Sequence, residues 1–417
     1  MKVASIIAEY NPFHNGHEFH INKVRQITGA DYVVVIMSGN FVQRGEPAII
    51  DKYKRTRMTL DMGADLIVEL PVIFATASAQ DFALGALSII DGLGCVDYLC
   101  FGSECGDVEP LDQVASYLLE NEDEFNKDIN KYMKSGLTYP KARHKAIQKN
   151  NPDMDDKILS APNNILAIEY IKAIKVLESK IKPITFTRKQ SDHNDILLNI
   201  NSTKKDKIIS SASSLRHSIS KSRNLDIIKS HVPTTSYKIL TDEYVKTFPI
   251  YMNDFSLLLK HKLLQERKES LTDYIDVSND LANRITNSSF INHDFLSYSK
   301  KLKTKQWTQT RINRSLIHIL LNLKTKNLNK YKKAGYGQYA RILGFNKNSS
   351  KLLREINKHS KIPLIMKMSK AIQSLSPLGL DMLNEDIFAA DIYNLIIQEK
   401  FKESLANEFR QELIIVK

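Results

Sequence analysis

The sequence predicts an α/β protein, with an N-terminal half built on a parallel sheet and a mostly α-helical C-terminal region. Through the first hundred residues, short β-branched or aromatic runs alternate with segments of helical pattern, as βαβ units do. The second run, YVVVIM at residues 32–37, is apolar almost throughout, as suits a strand covered by helices on both faces. Beyond about residue 230 the strand-like runs give way to successive amphipathic helices.

In chain order, residues 3–8, 32–37, 66–70 and 98–101 have strand length and composition. Residues 107–182 read as charged helices, most periodic over 163–177, and residues 184–188 as one more strand preceded by Pro183. A stretch rich in Asn, Asp, Ser and Lys at 189–207 reads as a loop. Small hydroxyls from Ser210 to Ser214, followed by Leu215 and Arg216, then lead into a short helix. Pro233 lies near the expected boundary between a domain of residues 1–230 and a helical, basic domain of residues 231–417.

The 417 residues carry 59 Lys+Arg against 47 Asp+Glu, a net charge of +12, and 42% of them are hydrophobic, which excludes a disordered chain. The basicity is local. Residues 295–354 hold no Asp or Glu and 15 Lys/Arg, so the rest of the chain carries −3. A patch of that kind is the footprint expected on a polyanion. Cys95, Cys100 and Cys105 fit neither a redox Cys-x-x-Cys nor a zinc half-site and are expected to be reduced thiols, consistent with a cytoplasmic protein. No run of about 18 uncharged apolar residues supports a membrane role.

The segment that carries chemistry is Glu9-Tyr10-Asn11-Pro12-Phe13-His14-Asn15-Gly16-His17, where the first strand gives way to the first helix. Open α/β sheets bind ligands at such a place. Gly16 lets a phosphate approach the backbone at a helix start, where free amides and the dipole favour an anion. His14 and His17, one helical turn apart, could both face that phosphate and stabilise charge as pyrophosphate leaves. On spacing alone, a metal half-site or a surface pair remains open.

His14-Asn15-Gly16-His17 resembles the His-x-Gly-His signature of the nucleotidyltransferase superfamily, which implies a Rossmann-like (HUP-type) ATP-binding domain. Ser213, Ser214 and Arg216 resemble its second motif, which implies phosphate contacts. More narrowly, the nine residues from Glu9 to His17, Met37-Ser38-Gly39-Asn40-Phe41 with Arg44-Gly45-Glu46-Pro47-Ala48, Phe101-Gly102-Ser103-Glu104 and Pro162-Asn163-Asn164-Ile165-Leu166 resemble the bacterial tRNA(Met) cytidine acetate ligase family. That resemblance implies an enzyme that turns ATP and acetate into acetyl-adenylate and passes the acetyl group to N4 of the wobble cytidine of elongator tRNA(Met). It also implies that the ATP site is lined by Ile7, Ala8, Glu9, Tyr10, Asn11, Pro12, Phe13, His14, Asn15, Gly16, His17, Glu18, Phe19 and His20. Gly102, Asn163 and Arg188 would be further nucleotide contacts. Thr187 stands where the family shows a basic residue beside Arg188.

From the βαβ order, Ser38, Gly39 and Asn40, at the end of the second strand, are expected to border acetate and the incoming base. Magnesium is expected to accompany ATP, with no dedicated protein metal cage. Glu9 and Glu104 are each open to touching that ion or to a structural role. In the basic stretch, Lys303, Lys305, Arg311, Arg314, Lys332 and Lys333 are expected to hold tRNA phosphates. Residues 308–323 read as a helix capped by Thr308, with Ile312, Leu316, Ile319, Leu320 and Leu323 on one face and Arg311, Arg314, Ser315, His318 and Asn322 towards RNA. Trp307, Tyr331, Tyr336, Tyr339 and Phe345 are each open to base stacking or to the core. A small-molecule nucleotidyltransferase would share the histidines but has no need of the basic stretch. A non-catalytic RNA-binding protein would not need the intact His14, Gly16 and His17.

Overall fold

The structure is a computed structural model that describes residues 1–150, 156–187, 208–222 and 224–417. Its strands are β1 (Val3–Ala8), β2 (Tyr32–Ser38), β3 (Phe41–Val42), β4 (Glu46–Pro47), β5 (Leu66–Leu70), β6 (Tyr98–Ser103), β7 (Lys182–Thr187), β8 (Ala340–Asn346), β9 (Leu364–Ile365) and β10 (Ile414–Val416). The main sheet runs β10-β8-β5-β2-β1-β6-β7, with β9 on β8, while β3 and β4 form a separate hairpin. From β5 through β7 every pairing is parallel, and β8 joins antiparallel to β5.

The five strands expected in the N-terminal half all form, within two residues of their expected ends. Alternation explains how β2 serves two cores: Val34 and Ile36 enter one and Val33, Val35 and Met37 the other, on opposite faces. Chain order along the sheet reverses beside β1, since β2 and β5 lie to one side of it and β6 and β7 to the other. The carboxyl ends of β1 and β6 therefore flank a crevice of the kind where ligands settle. Residues 188–207, which include Arg188 and the expected polar loop, lie outside the described residues.

Helices make up most of the C-terminal half, as expected, but three strands there were not. β8, β9 and β10 belong to the same sheet as β1, so residues from both sides of position 230 build one layer. β8 is hard to see in sequence because it lies inside the basic stretch and includes Arg341 and Gly344. Its arginine is buried by compensation. Arg341 Nη1 lies 3.1 Å from Glu69 and its Nη2 pairs with Glu408, while Lys52 Nζ lies 2.7 Å from Glu69 and 2.8 Å from Glu408. Two cations and two carboxylates, all at or below 5% exposure, thus balance one another between β5, β8, the helix Lys52–Asp61 and the chain near Glu408. Among the described residues no helix is long and apolar enough to cross a membrane.

Candidate active site

β1 ends at Ala8, and the helix Asn15–Thr28 begins with His14 as its N-cap. His14 Nδ1 accepts a hydrogen bond from Gly16 N at 3.1 Å, and His17 Nδ1 accepts one from His14 N at 3.2 Å, a reciprocal capping box made of two imidazoles. The rings stack, with centroids 3.6 Å apart. Because each Nδ1 accepts from an amide, each neutral ring carries its proton on Nε2. A Cβ on Gly16 would sit 2.9 Å from His14 Cε1 and 3.3 Å from Ile209, so the glycine leaves room for the imidazole itself.

Both histidines line a cavity of about 750 Å³, together with Ile7, Ala8, Glu9, Tyr10, Asn11, Gly16, Phe19, His20, Gly102 and Asn163. Apolar walls come from Phe101, Ile165, Leu166, Tyr170, Phe186 and Ile209, as suits the faces of a base and a ribose. Among the described residues five helices begin at its rim: the starts near His14, Ser78, Pro162, Ser211 and Thr308 all contribute lining residues. Helix starts make such a cavity attractive to anions. Burial pushes the Glu9 carboxyl above the ordinary range, with Arg216 and the Gln43 amide pulling it back.

Other residues of the first loop hold it in place. Asn15 Nδ2 donates to Ile208 O and Ser230 O, Asn11 Oδ1 accepts from Ile49 N at 2.7 Å, and Phe13 packs edge-on to Tyr10. Pro12, Phe13, Asn15 and Glu18 are not part of the cavity wall. Glu104 is structural: its carboxylate accepts from Asn163 Nδ2 at 2.6 Å and Asn164 N at 2.8 Å, capping the helix Pro162–Val176, which has no side-chain cap of its own.

Three expected groups sit elsewhere. Ser38, Gly39 and Asn40 do not line the cavity. They are bound from beneath by Arg55, which donates to Ser38 O at 2.9 Å and to Gly39 O, and by Lys52 N, which donates to Asn40 Oδ1. Within the Ser210–Ser214 cluster, the residues on the wall include Ser210 and Ser211 but not Ser213 and Ser214. Ser211 caps the helix Ala212–Lys221 by accepting from Ser214 N, and the buried Ser214 hydroxyl donates to Ser211 O. Arg216 also lies off the wall. Its Nη1 donates to Asn11 O at 2.9 Å and its Nη2 reaches Glu46 at 3.4 Å, so it braces the loop that carries the histidines.

The helix Gln309–Leu320 forms as expected, with Thr308 Oγ1 accepting from Arg311 N. It does not present a polar face to solvent. Ser315 and His318 are fully buried, and the His318 ring bridges Ile275 O and Thr76 O at 3.0 Å each. Arg311 and Arg314 line the same cavity as His14 and His17, a placement the charge pattern did not suggest. Tyr331 and Tyr339 are core residues with no exposure. Lys303, Lys305 and Lys333 are exposed, whereas Lys332 pairs with Asp81 at 2.6 Å. Sequence reasoning also missed Arg143, buried beside Glu169, and the wall formed by Gln43, Arg44 and residues 78–80. Of these, Arg44 alone had a signal, the Arg-Gly-Glu-Pro block around it.

The HIGH Nucleotidyl Transferase family model matches residues 1–408. The tRNA(Met) cytidine acetate ligase of Acetivibrio thermocellus is 40% identical, over the whole of both chains. The protein of the same name from Thermoanaerobacter sp. is 41% identical over 95% of each chain. Among solved structures, Thermotoga maritima TmcAL bound with alpha-thio ATP superposes with a TM-score of 0.88 at 29% identity, covering 100% of each chain, and its apo form with 0.90.

Proposed function

The chain belongs to the HIGH Nucleotidyl Transferase family, among the tRNA(Met) cytidine acetate ligases, and from that premise we propose that it joins acetate to a tRNA cytidine in two steps at the cavity beneath His14 and His17. In the first step an acetate oxygen attacks the α-phosphorus of ATP. The bond to the bridging oxygen breaks, and pyrophosphate leaves with its electron pair. In the second, the N4 amine of the wobble cytidine attacks the acetyl carbon, AMP leaves, and the amine loses a proton. That amine is a weak nucleophile because its lone pair is delocalised into the ring, which is why the acyl group must first be activated.

The observation that carries this reading is the paired-imidazole cap. With both Nδ1 atoms held by amides, the neutral His14 and His17 rings carry their Nε2–H donors at one helix start. Donors fixed in that way stabilise charge on a phosphoryl group in the transition state, and removing one from such a site costs about 10²–10³-fold in rate. Magnesium, on this reading, arrives with the nucleotide and is held by phosphate oxygens. Glu104, engaged as a helix cap by Asn163 Nδ2 and Asn164 N, is not turned to such an ion.

Exposed Lys303 and Lys305 precede the helix that reaches the cavity, which supports a path for tRNA over residues 300–305 to the site. On this reading residues 1–230 supply most of the nucleotide site, while residues 231–417 add Arg311 and Arg314 to its wall and carry the RNA-facing surface. Incubation with ATP, labelled acetate and bulk tRNA should place label in N4-acetylcytidine, and His14→Ala or His17→Ala should abolish it without unfolding the chain. Label in another small molecule and none in RNA would sink the proposal in favour of a small-molecule nucleotidyltransferase.

A further inference from the structure

An ATP site must meet the charge of a polyphosphate tail and, in an acetate ligase, of a carboxylate as well. The cationic side chains on the cavity wall are Arg44, Arg143, Arg311 and Arg314. Two of these are in ion pairs: Arg314 Nε donates to Asp276 at 2.8 Å, and Arg143 lies 3.7 Å from Glu169, its buried Nη2 making no hydrogen bond. Arg216, the cation that motif position would assign to the phosphates, is engaged with Asn11 and Glu46 off the wall. Among the described residues Arg44 and Arg311 form no ion pair, and Arg311 Nε is shut off from solvent with no hydrogen-bond partner. Asp276 feels both arginines but pairs directly with Arg314, which leaves Arg311, half-buried at the cavity wall, with no carboxylate in direct contact among the described residues.

The two arginines reach the cavity through one contact. The β3–β4 turn carries Arg44, and its Gly45 (φ +70°) packs so tightly on the helix Gln309–Leu320 that a Cβ there would lie 2.3 Å from Arg314 N. The same turn is tied to β1 by the Gln43 amide donating to Glu9 and to the helix Ala212–Lys221 by Arg216 reaching Glu46. Arg311 and Arg314, three residues apart, share one face of their helix. Phosphates of an RNA backbone lie along a protein surface, but this face is turned into the cavity that holds His14 and His17.

We propose that Arg311, with Arg44 beside it, binds an oxyanion of the first half-reaction, the ATP phosphate tail or the acetate carboxylate, and is not a contact to the tRNA backbone. The proposal rests on the acetate-ligase reading above. The test uses the full chain without tRNA: acetate-dependent ATP–pyrophosphate exchange is measured for the wild type, Arg311→Ala and Arg311→Lys, with binding of a non-hydrolysable ATP analogue and of AMP measured alongside. Arg311→Ala is expected to raise one KM by about tenfold or more, with Arg311→Lys in between because it keeps the charge and loses the planar fork.

A raised KM for ATP, with analogue affinity lost and AMP affinity kept, identifies the phosphate tail. A raised KM for acetate with both nucleotides bound normally identifies the carboxylate. Unchanged exchange together with weakened, less salt-dependent tRNA binding would overturn the proposal, as would unchanged exchange and unchanged tRNA binding. Absence of acetate-dependent exchange in the wild-type protein would instead remove the reading of the reaction, and this inference with it.

Discussion

Substituting Glu408 by Gln keeps the shape of the buried four-residue ion cluster and removes one of its two negative charges. Lys52 and Arg341 would then face Glu69 alone, leaving one unmatched cation at about 1–4% exposure. The Tyr53 hydroxyl, which donates to Glu408 at 3.1 Å, would lose a charged acceptor too. Breaking a buried pair from one side costs about 3–5 kcal/mol. At about 2.1 cal/mol/K per residue, unfolding a chain of this length carries an entropy near 0.9 kcal/mol/K, so the melting temperature should fall by about 3–6 °C. Calorimetry of Glu408→Gln measures this directly. The pair Lys52→Met with Glu408→Gln restores neutrality and should recover a good part of the loss, a coupling that single substitutions do not reveal. Burial alone would push the Glu408 carboxyl up, but Lys52 and Arg341 outweigh it and hold it near 2, below its ordinary 4.5. Its stabilising contribution is therefore whole above about pH 4.5 and is lost as pH falls towards 2. A Glu408→Gln protein melting within about 1 °C of the wild type would refute this account of how the C-terminal chain is held.

Gly16→Ala should cut acetate-dependent exchange by about 10²-fold while leaving melting unchanged or slightly raised, because alanine suits the helix but its Cβ would press on the His14 ring. Burial, aided by Asp386, raises the Glu385 carboxyl to about 7 against the pull of Asn327, so stability from this residue is present at low pH and is lost as pH rises from about 4.5 to 7. Glu385→Gln should flatten that part of a melting-against-pH curve. Lys303→Ala and Lys305→Ala should each reduce the salt slope of tRNA binding by about one unit and leave exchange intact, as read by filter binding at several salt concentrations.

The parallel strands and the histidine loop could be read in the sequence because both depend on local pattern. A run such as VASIIA forms a strand wherever it is covered, and His-Asn-Gly-His caps its own helix. What sequence could not supply was which distant group meets which. Arg341 and Lys332 counted equally with Lys303 as surface charge, yet one is buried against Glu69 and Glu408 and another is paired with Asp81. Ser38, Gly39 and Asn40 stand at the end of a strand in the expected place, but Arg55 approaches them from the helix Lys52–Asp61 and closes the space a ligand would need. The Ser210–Ser214 cluster marked the right helix and, for lack of a phase, the wrong hydroxyls.

The order of the sheet has a consequence for how the chain comes to be folded. β5 acquires its outer neighbour only from β8, about 270 residues later in synthesis, and β8 in turn waits for β10, about 70 residues later still. Until then the nascent N-terminal half exposes an apolar strand edge, the kind of surface that pairs with other chains. Contacts so distant in sequence close slowly. An interrupted chain that already holds both histidines would lack Arg311 and Arg314 from the cavity wall and have an open sheet edge. It would be prone to aggregate before it could consume ATP.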